Sequence, residues 1–145
     1  MDTNKQPGIN FGGIILVKEE FERDTSIGSE LETNVGFGIS ANESDGTYFV
    51  ELETTIKLME DGVNKVSLIF KHVGMFSVDG DSANLPMDDF LKYNAPAIMF
   101  PFVREHVSSI TTKAGIPTVL LPPMNIVAMI NQSPKPIDQA KEFSE

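Results

Sequence analysis

Histidine is the residue type that most often carries acid–base or metal chemistry near neutral pH, and this chain has two, His72 and His106. Beside a serine or an aspartate, a histidine can act as the general base of a hydrolase. The sequence has no nucleophile-elbow pattern to accompany either of them. The surrounding residues predict a strand for His72 and a helix for His106, and two histidines alone do not support a metal site. We therefore interpret both as structural and predict that the protein is not an enzyme.

A second candidate for chemistry is the acidic stretch DGDSAN, which begins as a calcium-binding loop does, with Asp79 and Asp81. Calcium loops of that type need a glycine at the sixth position and a glutamate at the twelfth. This chain has Asn84 and Phe90 at those positions instead. The stretch is therefore predicted to be a solvated loop, and we predict neither a metal nor another cofactor.

The composition excludes several further classes of functional site and partner. The chain has no cysteine, which excludes disulfide scaffolds, cysteine-ligated metal centres and thiol nucleophiles. Its net charge of −10 argues against nucleic-acid binding, because phosphates are neutralised by clustered lysine and arginine. The same charge suits a protein that meets basic or weakly cationic polypeptides, since charge raises encounter rates.

The length of 145 residues is enough for one domain with a sizeable core. No apolar run approaches the ~18–20 residues that cross a bilayer, and the N-terminal MDTNKQPG lacks the features of a signal peptide. We expect a single domain over residues 1–145, flexible at 1–8 and 134–145. We also expect a cytoplasmic protein that is not inserted in a membrane.

In the first half of the chain, apolar residues recur at every second position, the period that is typical of strands. The Asp45-Gly46 pair predicts a tight hairpin turn between two of them. In the segment that follows, Val50, Leu52, Ile56 and Leu58 lie on one side, opposite charged residues. We predict a four-stranded antiparallel sheet with one apolar face. Its strands are predicted around residues 12–21, 35–40, 48–60 and 65–78.

After residue 86 the spacing of apolar residues changes to a period of about 3.6 residues, that of an α-helix. Met99, Val103, Val107, Ile110 and Ala114 then form one stripe, which predicts a long helix over residues 95–115. An extended, proline-stiffened connection leads to a short helix over 126–132, with Asn125 as its N-cap. Strands first and helices afterwards indicate the α+β class.

The long helix is also apolar off this stripe, at Ile98, Phe100, Phe102 and His106. A helix that is apolar over more than half of its circumference packs on two sides. In a small domain the second side is most simply another subunit, so we predict a homo-oligomer. The predicted interface residues are Met99, Phe100, Phe102, Val103, His106, Val107 and Ile110.

The uncharged segment LLPPMNIVAMI, residues 120–130, allows two interpretations. It can be a buried connector that leads into a core helix. It can also be an adaptable apolar wall, because methionine side chains re-pack around varied shapes and prolines keep the wall extended at little entropic cost.

Two adjoining stretches resemble the bacterial protein-export chaperone SecB family. They are YNAPAIMFPFVREHVSS and GIPTVLLPPMNIVAMI, and the resemblance extends over about Val66–Ile130. The first carries the family's phenylalanine–proline–aromatic step and its arginine–glutamate pair. The second has the family's loop proline and asparagine, and GMFSVDG is similar to the family's strand end. The matching residues are Pro96, Phe100, Pro101, Phe102, Arg104, Glu105, Pro123 and Asn125.

The resemblance implies a four-stranded antiparallel sheet with two helices, assembled as a dimer of dimers (a homotetramer) through the long helix. It also implies an ATP-independent holdase that binds unfolded preproteins in long apolar grooves and delivers them to the translocation motor SecA. Separately from the resemblance, we expect Pro101, which costs a helix interior about 3 kcal/mol, to kink the helix so that its aromatics pack. The alternative is an interaction protein of the same fold, dedicated to one partner such as an antitoxin, without delivery to SecA.

Residues for these functions are predicted as follows. In the family, SecA contacts acidic residues on the outward sheet face, and the first strand offers Glu19, Glu20 and Glu22. The fourth strand carries Ile69 at the expected acidic position, with Ser67 nearby. The candidate polypeptide-binding residues are Phe37, Ile39, Leu68, Phe70, Met87, Pro123, Met124, Ile126, Met129 and Ile130.

Overall fold

The computed structural model describes residues 8–78, 87–130 and 132–137. One antiparallel sheet dominates it, and its strands lie in the order β1-β4-β3-β2-β5. The strands are β1 (Ile9–Arg23), β2 (Glu32–Ser44), β3 (Thr47–Glu60), β4 (Val63–Val78) and β5 (Lys135–Ile137). The helices are α1 (Met87–Asp89), a π-helical turn at Phe90–Asn94, α2 (Ala95–Lys113) and α3 (Ile126–Met129). The class is therefore α+β, as predicted.

Two tight turns set the register of the central strands. Asp45 and Gly46 have φ values of 52° and 82°, and Asp61 and Gly62 have values of 51° and 79°. Positive φ at both central residues defines a type I′ turn, whose twist matches that of paired strands. Pairing then runs without interruption from Ser44↔Thr47 to Glu32↔Met59.

The alternating residues of β3 and β4 form the core face, which α2 covers. Val50, Leu52, Leu68 and Phe70 are buried on that face, as the period of two predicts. From α2, the stripe residues Met99, Val103 and Val107 pack onto them and are also fully buried. Gly74 permits this close approach, because a Cβ built there would lie 3.0 Å from the Met99 sulfur.

The sheet has five strands, so the prediction of four is wrong. Lys135–Ile137 pairs antiparallel with Thr33–Val35 at the edge of β2. Three residues are too few for a periodic pattern, and the central one is Pro136, which strands tolerate at an edge. This strand lies within the stretch 134–145 that the sequence predicts to be flexible, and 138–145 lie outside the described residues.

The last helix begins as predicted and ends earlier than predicted. The Asn125 side chain accepts a hydrogen bond from the Ala128 N–H at 3.3 Å, which is an N-cap. The helix ends at Met129 instead of residue 132, because Ile130 is extended and forms a parallel bridge with Phe37 of β2. The acidic loop predicted from Asp79 onward lies outside the described residues.

Candidate polypeptide-binding surface

Residues 120–130 run beside α2 and end against the edge of β2, and we call them the apolar wall. The wall is fixed at one point by Arg104, whose Nε donates a 2.6 Å hydrogen bond to the Leu121 carbonyl oxygen. It is fixed at another by the bridge between Ile130 and Phe37. The sequence presents Arg104 as half of an arginine–glutamate pair and gives no sign of this long-range contact.

The wall combines both of the interpretations that the sequence left open. Leu121 and Ile126 are buried in the core, as a connector would be. Met124, Met129 and Ile130 are partly exposed and pack against the core from its rim, and Leu120 is 51% exposed. The segment itself carries no charged side chain, and Arg104 and Glu105 of α2 lie beside Leu120 and Leu121.

Four of the predicted binding residues lie inside the core. Phe37, Leu68, Phe70 and Ile126 are each at most 4% exposed. Phe37, Leu68 and Phe70 lie on the apolar sheet face that α2 and α3 of the same chain cover, and Ile126 lies in α3 and packs into the same core. The other six retain exposed surface: Ile39, Met87, Pro123, Met124, Met129 and Ile130.

The predicted subunit interface divides in the same way. Met99, Val103 and Val107 are enclosed by the sheet of their own chain, and Phe100 packs edge-on against Phe37 with ring centroids 6.2 Å apart. These residues belong to the core of the single chain. Phe102, His106 and Ile110 reach the surface.

Exposed apolar residues also line the edge strand β1, where no sequence pattern predicts a binding surface. Phe11, Ile15, Leu16 and Val17 are each at least 40% exposed. Phe102 of α2 joins them, since its ring centroid lies 6.0 Å from that of Phe11. Surface patches of this kind mark sites of association.

The two histidines meet where α2 crosses β4. Their ring centroids are 5.9 Å apart, and the Phe70 ring lies 5.5 Å from His72 and 4.6 Å from His106. His106 Nε2 is 3.5 Å from a carboxylate oxygen of Glu19. Burial lowers the pKa of His72, and the nearby His106 lowers it further, whereas Glu105 opposes them.

This histidine cluster lacks a third ligand. Within the described ranges, no three His, Asp or Glu side chains come close enough together to share a metal ion. The Phe70 ring packs between the two histidines, where α2 meets β4.

The three acidic residues of β1 point to opposite faces of the sheet. Glu20 pairs with Ile69 and Glu22 pairs with Ser67 on the outward face, beside a recess of about 480 Å³. Glu19 pairs with Phe70 on the inner face, where it meets His106. A bulge between Leu16 and Lys18 displaces the alternation, which is why the sequence alone left the register open.

The comparisons with known proteins agree with the fold. The family model described as preprotein translocase subunit SecB matches residues 19–136. This chain belongs to the SecB family. The protein-export protein SecB of Neisseria meningitidis serogroup B is 35% identical over 71% of this chain and 69% of its own length. An uncharacterised protein of Methanocaldococcus jannaschii is 29% identical over 98% of this chain and 92% of its own.

A solved structure shows the same fold. It is a SecB-like chaperone of Mycobacterium tuberculosis in complex with a ChAD peptide from the HigA1 antitoxin. The match has a TM-score of 0.72 at 11% sequence identity, and it covers 80% of this chain and 90% of that one. The resemblance stated from the sequence is thus confirmed at the level of the family, which is a family of chaperones and not of enzymes. None of the helices in the described part of the chain is long and apolar enough to span a membrane.

Proposed function

We propose that this protein is an ATP-independent chaperone of the cytosol that holds unfolded polypeptides against the apolar wall. The observation that carries the proposal is the wall itself: an uncharged, partly exposed segment in which Met124 and Met129 flank the edge of the sheet. Methionine side chains adapt to varied shapes, which suits clients without a common sequence. Because the segment carries no charged side chain of its own, apolar client residues can bind to it without desolvating an ion there.

Client affinity requires more surface than one wall provides. A micromolar complex needs a net gain of about 8 kcal/mol. Burying ~800 Å² of apolar surface contributes roughly 20 kcal/mol before the ordering of an unfolded client is subtracted. We therefore propose that walls from several subunits act together, in a dimer of dimers formed by copies of this chain. The exposed side of α2, with Phe102, His106 and Ile110, is the part of the predicted interface open to a second copy.

Delivery of the client to SecA is the finer part of this proposal. Glu20 and Glu22 on the outward face offer two carboxylates to a basic partner, with Ile69 directly opposite Glu20 on β4. Because the position of Ile69 is aliphatic, we keep a second candidate: a chaperone dedicated to one partner protein, which does not engage SecA. The two differ in whether several unrelated unfolded chains bind and whether SecA binds.

The test is a calorimetric titration with a permanently unfolded polypeptide, made by carboxymethylating a reduced disulfide protein, with the mass of the complex measured in parallel. We expect micromolar or tighter binding and a negative heat-capacity change, since apolar surface is buried. Met129→Asp places a charge on the wall and should weaken binding about tenfold or more.

A matched control separates the wall from general apolar exposure. Val63→Asp introduces the same charge at a side chain that is 55% exposed at the start of β4, away from the wall. It should leave client affinity unchanged. Equal loss in both variants, or no binding by a well-folded wild-type protein, would contradict the proposal.

A further inference from the structure

The outer edge of β2 is only partly paired by the described chain. β2 spans Glu32–Ser44, and its pairing with β5 covers Thr33–Val35. One isolated bridge follows at Phe37. From residue 38 to 44, nothing within 8–78, 87–130 or 132–137 pairs with this edge. An edge of this kind presents a row of N–H and C=O groups that can template another strand.

β5 covers the first part of this edge by a weak attachment. It has three residues, and the central one, Pro136, has no N–H to donate. Lys135 and Pro136 are exposed, so Ile137 is the one side chain of β5 that packs against the core. Few hydrogen bonds and little buried surface make local opening easy.

Gly36 has no side chain, and this leaves room for a segment of the chain to lie against β2. A Cβ built on Gly36 would lie 3.0 Å from the ring of Pro134, so the missing side chain is what lets the segment before β5 lie on the strand. The edge thus already accepts an extended stretch of polypeptide, supplied by the chain itself.

The apolar wall lies beside the same edge. Ile130 bridges Phe37, and the partly exposed side chain of Ile39 follows two residues along β2. In a strand, successive side chains point to opposite faces. A strand added to β2 would therefore direct every second side chain toward Ile39, Met129 and Ile130.

We propose that an extended segment of the client adds to the edge of β2 as a further strand, and that β5 is a strap displaced to admit it. The inference rests on the proposed chaperone function and specifies its mode of binding. Backbone hydrogen bonds hold the client whatever its sequence, and the wall selects apolar side chains at alternate positions. The preferred segment is uncharged on one face and free of proline.

The absence of cysteine allows a direct test by locking the strap. Asn34 and Pro136 lie directly opposite each other in the antiparallel pair, where Cβ atoms are about 4.5–5.5 Å apart, near the spacing that a disulfide bridges. In the double variant Asn34→Cys with Pro136→Cys, oxidation closes the strap and reduction releases it. Formation of the bond is followed by mass.

Binding of the carboxymethylated unfolded polypeptide is then measured for both forms of the same chain. We expect the oxidised form to bind about tenfold or more weakly than the reduced form, because the client loses several backbone hydrogen bonds. Each single-cysteine variant, treated with the same oxidant, should keep the affinity of the reduced form.

A second variant loosens the strap instead of locking it. Ile137→Ser removes its anchor and should tighten client binding about threefold, because a closed strap reduces the fraction of competent molecules. Lys135→Ser, at an exposed residue of the same strand, should change nothing. Hydrogen exchange on client addition should show protection rising along residues 36–44 and falling in β5.

The outcomes are distinct. Equal binding by the oxidised and reduced double variant would overturn the displacement of β5 and leave the chaperone proposal intact. A client that binds without protecting residues 36–44 would overturn strand addition at this edge. Loss of binding in every form, the wild type included, would overturn both proposals.

Discussion

The two faces of the sheet are built from the same strands and meet different surroundings. On the inner face, Leu68 and Phe70 are buried beneath α2. On the outer face, their neighbours Ile69 and Lys71 are partly exposed, and Lys71 forms a 3.2 Å ion pair with Glu51 of β3. Adjacent residues of one strand therefore serve opposite purposes: one face stabilises the fold, and the other can change without unfolding it.

The difference is energetic as well as geometric. A fully buried aromatic side chain contributes several kcal/mol to stability, whereas an exposed ion pair contributes about 0–1 kcal/mol. The inner face is thus constrained by packing, and the outer face is available for partner recognition. Three experiments sharpen this contrast.

The largest effect is expected at Phe70 on the inner face. Phe70→Ala should lower the free energy of unfolding by about 3–5 kcal/mol, because it leaves a cavity among β4, α2 and both histidines. Ile69→Ala, one residue away on the outer face, should cost about 1 kcal/mol or less. Urea denaturation followed by circular dichroism measures both.

A milder variant covers the case in which Phe70→Ala does not fold. Phe70→Leu keeps an apolar side chain at the site and should cost about 1.5 kcal/mol or less. If Ile69→Ala destabilised the protein as much as Phe70→Ala, the contrast between the two faces would be refuted.

The next effect is a pH dependence that originates on the inner face. Because burial and His106 lower the pKa of His72 below its usual 6.5, the unfolded chain binds the proton more readily than the folded one. Stability should be full above about pH 6.5 and fall as the pH drops from there toward the lowered pKa of His72. Urea midpoints between pH 7.5 and 5.5 should show this decline.

Two variants assign the decline to His72. His72→Gln removes the titrating group, so the pH dependence in this window should flatten. His106→Gln removes one cause of the lowered pKa and leaves burial, so it should reduce the slope and not abolish it. A slope that persists unchanged in His72→Gln would contradict the assignment to His72.

Much of the inner face could be predicted from the sequence, because its signals are local and repeated. The alternation of Val50, Leu52, Ile56 and Leu58 identifies buried positions, and the Asp45-Gly46 turn sets their register. The pattern does not reveal what covers a face. Phe37, Leu68 and Phe70 were therefore predicted to bind clients, although their own α2 and α3 enclose them.

The pairing of β5 and the register of β1 could not be predicted, because no local sequence pattern indicates them. β5 has three residues with a central proline, and its pairing with β2 joins segments about a hundred residues apart. The orientation of Glu19 depends on the bulge after Leu16, since a shift of one residue exchanges the two faces of a strand. A single bulge is not visible in a sequence that is acidic at Glu19, Glu20 and Glu22 alike.

The smallest effect on stability is expected on the outer face, where it accompanies a large effect on partner binding. Glu20→Lys with Glu22→Lys reverses both exposed carboxylates, and the free energy of unfolding should change by about 0.5 kcal/mol or less. If SecA docks on this face, its affinity should fall about tenfold or more, most strongly at low salt.

The matched control changes the same charge elsewhere. Glu30→Lys with Glu32→Lys alters two exposed carboxylates at the same spacing, outside the recess beside Ile69, and should leave SecA binding intact. Equal loss in both double variants would indicate an effect of net charge alone. If wild-type protein bound unfolded clients and did not bind SecA, the aliphatic Ile69 would explain the loss of that contact, and the outer face would belong to a chaperone with a dedicated partner.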